Sequence, residues 1–463
     1  LSALDNLMLD GELPNLPMHM SAITLYDTQG KRGGDRLRAE LEARFEAIAK
    51  EHFPILRCKV KRLPLHLDRS YWVDDDRFSL SHHVSHVALP KPRDWPALYR
   101  LFGEFHARPL DSTRPLWEVM FVEGLDKLDD VPRGATAVFI KIHHSVFDGK
   151  GALRLFSSLH NVEPGGPMLA AAPGAGEDPT DDFSSPSMLT RYARAWWHNI
   201  ERPFDLAGTL LKLAPQLFRG TSGSEHAPVP DCHFNREVAA DRVIGHISMD
   251  MRALRKLEKK YHCTINDIAM CVIGGALRSF LLEEAELPRD SLQSLMPIST
   301  RRRDETGSIG NHVSVARVAL RTDVPDAHER LQKIHKETTK GKQESGKGSS
   351  RALLEIVDEI HPALILWLGD WLVSSGRINT LAPTINTVVT NVPGAQQQLF
   401  LGDAPQIDYL GFGPLAPNTG LFHTVSSTPD KVSISFLSTA ELVGNGTTYK
   451  ECLANSWGEL NPA

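Results

Sequence analysis

The sequence predicts a mixed α/β protein of two domains, and three observations carry that reading. The chain has 463 residues, more than one hydrophobic core ordinarily serves. Its first third alternates amphipathic helical stretches with short runs of β-branched and aromatic residues, the pattern of helices layered on a sheet. Residues 163–187 (EPGGPMLAAAPGAGEDPTDDFSSPS) then change to Pro, Gly, Ala, Asp and Ser, a linker composition. The predicted division is residues 1–162, a linker 163–230 with an amphipathic helical segment, and residues 231–463.

In chain order, residues 36–51 (RLRAELEARFEAIAKE) space Leu37, Leu41, Phe45 and Ile48 along one helical face. Residues 71–73 and 80–87 read as short extended pieces, and residues 117–123 (WEVMFVE) and 137–142 (AVFIKI) as strands. A helical pattern begins at Gly151. After the linker, Leu189, Tyr192, Ala193, Trp196, Trp197 and Ile200 fall on one helical face, with Arg191, Arg194, His198 and Glu201 on the other. That segment reads first as a surface helix packed on its own domain, and second as an interfacial membrane anchor. Residues 241–249 form the next strand. Helices follow over residues 251–261 and 265–284, the latter so apolar in its first half that burial is expected. Residues 386–393 and 431–438 supply late strands.

Composition narrows the function. With 41% apolar and 23% charged residues the chain is globular, and a net charge of −6 offers no basic excess for nucleic acid. The five cysteines are scattered without a C-x-x-C pair, which favours free thiols and a reducing cytoplasm. No signal-peptide pattern is visible, and the most apolar stretch, residues 362–374, is too short for a membrane span and carries Asp370.

Chemistry concentrates in residues 137–155 (AVFIKIHHSVFDGKGALRL), where a strand gives way to a helix. Neighbouring residues on a strand face opposite ways, so only one of His143 and His144 is expected to face a cavity. The spacing matches no metal-ligand pattern. A second pair in residues 81–87 (SHHVSHV) lacks the Asp-Gly that follows the first and reads as polar strand decoration or packing. Gly149 is expected to turn the chain with positive φ, while Asp148 fixes the turn or an arginine. A neutral imidazole at such a turn is a suitable general base. There is no G-x-S-x-G elbow and no reactive cysteine context, so the base would activate the incoming substrate directly, without a covalent intermediate.

The H-H-x-x-x-D-G turn resembles that of the CoA-dependent acyltransferase superfamily. Leu1-Ser2-Ala3-Leu4-Asp5, Pro17-Met18-His19-Met20, Arg114-Pro115-Leu116-Trp117-Glu118, Asn266-Asp267, Pro297-Ile298-Ser299-Thr300-Arg301 and Asn391-Val392-Pro393-Gly394 are similar, in order, to blocks of the bacterial wax ester synthase/diacylglycerol acyltransferase family. The resemblance implies two chloramphenicol-acetyltransferase-like α/β domains with mixed sheets flanked by helices and an active-site tunnel between them. It implies His144 as general base, with His143 and Asp148 structural and Asp148 paired to an arginine, for which Arg301 is the candidate. Asn266 and Asp267 would lie near the site; read alone, Asn266 or Thr264 caps the apolar helix. The P-L-W block reads as packing as well. Ala395 and Gln396 to Gln398 depart from the family pattern.

The substrates implied are a fatty acyl-CoA and a long-chain alcohol or diacylglycerol, with no further cofactor and no metal. A cytoplasmic protein, peripheral on the inner membrane or lipid inclusions, is expected, with residues 196–197 and 364–371 as lipid-contact candidates; core packing explains the second equally. An acyltransferase with another hydroxyl or amine acceptor, or a non-catalytic acyl-chain binder, are the rival readings.

Overall fold

The computed structural model describes residues 1–28, 33–147, 149–169, 187, 189–200, 229–299, 313–344, 361–377 and 383–462. Two six-stranded sheets organise it. The strands of the first are β1 (His19–Tyr26), β4 (Val84–Ala88), β5 (Trp117–Glu123), β6 (Thr136–His143), β11 (Phe400–Leu401) and β12 (Ala404–Phe412), in the spatial order β11-β12-β1-β6-β5-β4. Between β1 and β4, β2 (Cys58–Lys61) and β3 (Tyr71–Asp74) pair separately. The second sheet has the order β7-β14-β13-β10-β8-β9, formed by β7 (Val243–Asp250), β8 (Gln293–Ser299), β9 (Val313–Ala319), β10 (Thr387–Val392), β13 (Phe422–Ser427) and β14 (Lys431–Ser438). Residues 400–412 thus leave the C-terminal half to pair with β1 in the first sheet.

The first sheet is covered on both faces, which explains the near-continuous apolar run of β6. Val138 and Ile142 join the core under α2 (Gly33–Glu51), while Ala137 and Phe139 face α3 (Trp95–Ala107). The α3-side core also contains Val238, Ile244, Phe422 and Leu437, so it joins the two halves. Polar ties reinforce the junction: Tyr99 Oη lies 2.8 Å from His246 Nδ1, and the Asn15 amide donates to the Val238 carbonyl at 2.7 Å.

The predicted helices at 251–261 and 265–284 are α6 (Met251–Tyr261) and α7 (Ile265–Glu283). α7 is long and apolar enough to cross a membrane, yet most of it is buried at the centre of the second core. Strand β1, α3 and α8 (Ala327–Glu344) were not anticipated from the sequence.

Residues 189–200 are helical, but the helix (α5) packs through the opposite face from its apolar stripe. Arg191 and Ala195 are buried, His198 Nδ1 lies 2.8 Å from Asp68 Oδ2, and Asn199 donates to the Leu67 carbonyl. Leu189, Trp196 and Trp197 are 83%, 68% and 57% exposed. The buried Asp68 carboxylate attracts His198, and that polar anchor decides which face turns inward. In α9 (Pro362–Ser374), Leu364, Trp367, Leu368 and Trp371 lie outside the core, so of the two readings open for residues 364–371 core packing fails for these four.

Candidate functional site

The two histidines are not both on the strand. β6 ends at His143, and His144 opens the turn that leads to α4 (Gly149–Ser158). Strand alternation therefore places His143, with Lys141, on the Ala137–Phe139 face, whereas the turn sets the direction of His144. Two flanking segments pin this junction. The His143 N–H donates to the Leu116 carbonyl at 3.0 Å, and the His144 N–H donates to the Met18 carbonyl at 2.9 Å. The Arg114–Glu118 and Pro17–Met20 stretches therefore hold the histidine pair from opposite sides. His144 is half-buried.

His143 is 1% exposed and its orientation is fixed. The Ser145 amide donates to its Nδ1 at 3.1 Å, and Ser145 Oγ lies 2.7 Å from the same atom. Nδ1 is thus an acceptor, so the proton of the neutral ring resides on Nε2. That atom faces Glu12 Oε2 at 3.9 Å. Burial, then the neighbouring His144 and Arg62, push the His143 pKa down to about 4, so the ring is neutral at physiological pH.

Glu12 is a connector that sequence reasoning missed. Its Oε1 accepts the Met18 N–H at 3.0 Å and lies 3.4 Å from Nε2 of the buried His19. Burial raises the Glu12 pKa, partly opposed by the Met18 N–H and by Arg62 and Lys141. His19 pairs in register with His143, and its Nδ1 approaches the His106 carbonyl at 3.4 Å. Lys141 completes the cluster: it is fully buried and donates to the carbonyls of Phe105 and Arg108, with Glu118 at 3.3 Å. Burial, opposed by Glu118, brings its pKa down to about 8. Two signals were available, a lysine inside an apolar strand and the Pro-Met-His stretch; nothing near Glu12 marks it.

Other predicted residues divide. Gly149 does not take positive φ; it is the first helical residue of α4, and a Cβ there would meet nothing within 4 Å. The expected positive φ gives way to a helical conformation because the helix starts at this residue. Asp148 and Arg301 lie outside the described residues, and so does their expected pairing. Asn266 and Asp267 sit at the start of α7, where the helix-cap reading holds for Thr264 rather than Asn266. Thr264 Oγ1 accepts the Asp267 N–H, and Asp267 Oδ2 accepts the Thr264 N–H at 2.9 Å, a reciprocal capping box. Asp267 is buried and also accepts from His335 Nδ1 at 2.8 Å and Thr338 Oγ1 at 2.7 Å. Burial alone would raise its pKa; the Thr338, Thr264 and His335 hydrogen bonds outweigh it and hold the carboxyl below its ordinary value. Asn266 Nδ2 rests against the sulfurs of Met270 and Met296, and its buried Oδ1 has no hydrogen-bond partner among the described residues. Among the described residues, no hydrogen bond or ion pair joins Asn266 or Asp267 to the histidine turn.

Two motifs have plain structural explanations. Trp117 is 1% exposed, donates to the Leu56 carbonyl, and is stacked between Phe45 and His83. This also accounts for His83 of the 81–87 stretch, a packing partner of Trp117, whereas His82 and His86 are exposed. In Asn391-Val392-Pro393-Gly394, a Cβ at Gly394 would fall 1.6 Å from the Ser427 carbonyl oxygen, so only glycine fits.

Comparison with known proteins places most of the chain in one family. Residues 1–269 match the wax ester synthase/diacylglycerol acyltransferase catalytic domain, and residues 309–461 match the WS/DGAT C-terminal domain. A Mycobacterium tuberculosis relative named as a diacylglycerol O-acyltransferase is 30% identical over 467 residues, covering 96% of this chain and 86% of the relative. A Mycobacterium bovis protein of the same description is 27% identical over 420 residues, covering 87% of this chain and 79% of its own. Among solved structures, the wax ester synthase/diacylglycerol acyltransferase from Marinobacter aquaeolei VT8 superposes with a TM-score of 0.70 at 22% identity, covering 99% of this chain and 97% of that one. The starter condensation domain of rhizomide synthetase in complex with C8-CoA shares the fold, with a TM-score of 0.52 at 15% identity over 99% of this chain and 94% of that one.

Proposed function

The chain belongs to the wax ester synthase/diacylglycerol acyltransferase family and is an acyl-CoA-dependent O-acyltransferase, and from that premise we propose how and on what it acts. The donor is a long-chain fatty acyl-CoA, and the acceptor is a long-chain alcohol or diacylglycerol. His144 is the general base. Its imidazole takes the acceptor hydroxyl proton as the oxygen attacks the thioester carbonyl carbon. The C–O bond forms, the C–S bond breaks, and the imidazolium returns the proton to the departing CoA thiolate. No acyl-enzyme is involved.

The observation that carries this reading is the pinned histidine turn. The backbone of His143 and His144 is tied to Leu116 and Met18, and the His143 ring is held in one tautomer by Ser145. A turn fixed on both sides keeps its next side chain within the narrow geometry that proton transfer needs. Asp148 and Arg301 would brace the turn from the α4 side, His143 from within the sheet.

We also propose that the protein works at a lipid surface. α5 and α9 both rest near the Pro64–Asp68 stretch and turn Leu189, Trp196, Trp197, Trp367, Leu368 and Trp371 outward. Arg194 is exposed beside the first pair, and the Arg377 guanidinium lies 4.9 Å from the Trp371 ring centroid. Tryptophans with flanking arginines suit the boundary between headgroups and acyl chains.

The deciding experiment measures CoA release with palmitoyl-CoA and a panel of long-chain alcohols, diacylglycerol and amines, for the wild-type protein and His144→Ala. Release stimulated by alcohols or diacylglycerol and lost in a folded His144→Ala variant supports the reading. Full activity in that variant overturns the mechanism. Stimulation by amines alone moves the acceptor class.

A further inference from the structure

The outward-facing tryptophan helices and the histidine turn are held by the same N-terminal segment. α1 (Ala3–Asp10) ends at Asp10, and Glu12 follows after Gly11. Glu12 Oε1 accepts the Met18 N–H at 3.0 Å, and the Met18 carbonyl accepts the His144 N–H at 2.9 Å. The exit from the helix has little slack: the Gly11 N–H donates to the Leu7 carbonyl at 2.8 Å, and a Cβ at Gly11 would fall 2.6 Å from that oxygen. A shift of α1 therefore reaches the His144 backbone through one side chain and two hydrogen bonds.

The same segment carries α5 and α9. α9 packs on α1 and on the Pro64–His66 turn. α5 is bound to the residues that follow this turn, with Asn199 donating to the Leu67 carbonyl at 3.0 Å and His198 Nδ1 lying 2.8 Å from Asp68 Oδ2. α1 is fastened to that stretch as well. Buried Asn6 accepts the Ser70 N–H on Oδ1 at 2.7 Å and donates from Nδ2 to Asp10 Oδ2 at 2.8 Å. Arg62 Nε donates to the other oxygen of the buried Asp10 carboxylate at 2.9 Å. α1, α5 and α9 are thus joined around residues 62–70, and the joints to α1 and α5 are polar. Among the described residues, neither α5 nor α9 places a side chain in a hydrophobic core.

We infer that lipid docking by α5 and α9 activates the enzyme, by holding α1 and, through it, Glu12, Met18 and His144 in place. The inference rests on the lipid-surface reading of the previous subsection and gives that surface a regulatory role. Elements with few buried apolar contacts open locally at low free-energy cost, and α5 and α9 are of this kind in water. Burial of the Trp196, Trp197, Trp367 and Trp371 rings at a lipid boundary supplies the apolar contact that the protein interior does not. Lipid therefore binds the arrangement in which both helices are seated more tightly than any in which they drift from α1. That difference in affinity is what a population shift requires. The segment brings no group to the reaction; it sets how often His144 stands in the geometry that proton transfer needs. The effect falls on kcat rather than on the KM for acyl-CoA.

The test follows CoA release from hexanoyl-CoA with 1-hexanol, a water-soluble pair that vesicles need not deliver. The full chain is assayed with and without phosphatidylglycerol vesicles, with co-sedimentation measured on the same samples. Amide hydrogen exchange over residues 4–20 is followed in parallel, and it requires neither turnover nor a variant. In the wild-type protein, saturating vesicles should raise kcat by about threefold or more and slow that exchange. Replacing Trp196, Trp197, Trp367 and Trp371 with Ser should abolish the rise. Asn6→Ala cuts the ties from α1 to Ser70 and Asp10 and leaves the rings intact, so it should sediment with vesicles yet show a much smaller rise. Asp10→Asn, which weakens the Arg62 tie, is the second variant of this kind and should behave alike. Docking that leaves either kcat or exchange unchanged in the wild-type protein overturns the inference and leaves the lipid-surface reading standing. A rise that persists without the four tryptophans, or is undiminished in a folded Asn6→Ala or Asp10→Asn variant, also overturns it. A wild-type protein that does not sediment with the vesicles sinks both.

Discussion

The Nε2 of His143 points at Glu12 Oε2 across 3.9 Å, while the other oxygen of the same carboxylate accepts the Met18 N–H and faces His19. Glu12 therefore spans the segment that holds His144 and the ring beside it. One carboxylate oxygen accepts the Met18 N–H, and the other faces the His143 Nε2–H at 3.9 Å, an electrostatic contact longer than a hydrogen bond.

Glutamine cannot supply both. With its oxygen on the Met18 N–H, its amide nitrogen opposes the His143 N–H donor. Glu12→Gln should lose about 1–3 kcal/mol of stability. It should also lower kcat for CoA release more than it raises KM, because the turn loosens while the donor site is untouched. Thermal denaturation and steady-state kinetics measure the two effects. A variant as active as the wild-type protein would remove Glu12 from the site.

Acid sensitivity follows from His143. Its folded pKa of about 4 lies below the unfolded value of about 6.5, so between those pH values the unfolded chain binds a proton that the folded chain refuses. Stability rises with pH across that window and is lost as the pH falls from about 6.5 toward 4. Glu12 has the opposite sign: its raised folded pKa favours the folded state at low pH, and that contribution fades as pH rises through the folded value. The difference in Tm between the wild-type protein and His143→Gln, followed from pH 4 to 8, isolates the histidine term. It should shrink toward acid pH.

Asp267 should behave as a structural residue. Its carboxylate closes the Thr264 capping box and accepts from His335 and Thr338. Asp267→Asn should cost about 1–3 kcal/mol in urea unfolding. The fraction that folds should keep its kcat. A stable variant with a lower kcat would instead place Asp267 in the chemistry.

The outward tryptophans give a readout at the surface. Replacing Trp196, Trp197, Trp367 and Trp371 with Ser should reduce co-sedimentation with phosphatidylglycerol vesicles severalfold, at unchanged Tm, because each ring is already substantially exposed. Unchanged sedimentation would refute lipid docking by this face.

Hydrophobic periodicity was enough to place α2, β5, β6, α6 and α7, because each buries a regular face or a continuous apolar run. β1 was harder to see: its polar residues, His19, Ser21 and Thr24, are buried against partners that are distant in sequence. The histidine motif was legible because its residues are contiguous. Its support was not, since Glu12, Met18, Leu116 and Lys141 come from separate segments. Local sequence carries no record of which segments a sheet will bring side by side.

The sequence by itself determined the α/β class, the family blocks and the histidine pair, all of which depend on neighbouring residues. Tertiary structure decided that β6 ends between the two histidines and that β12 crosses into the first sheet. It also decided that α5 turns its tryptophans outward. The physical reason is common to all three. Each depends on a hydrogen bond or ion pair between remote residues, as between His144 and Met18 or His198 and Asp68, and such a pair exists only once the chain has folded.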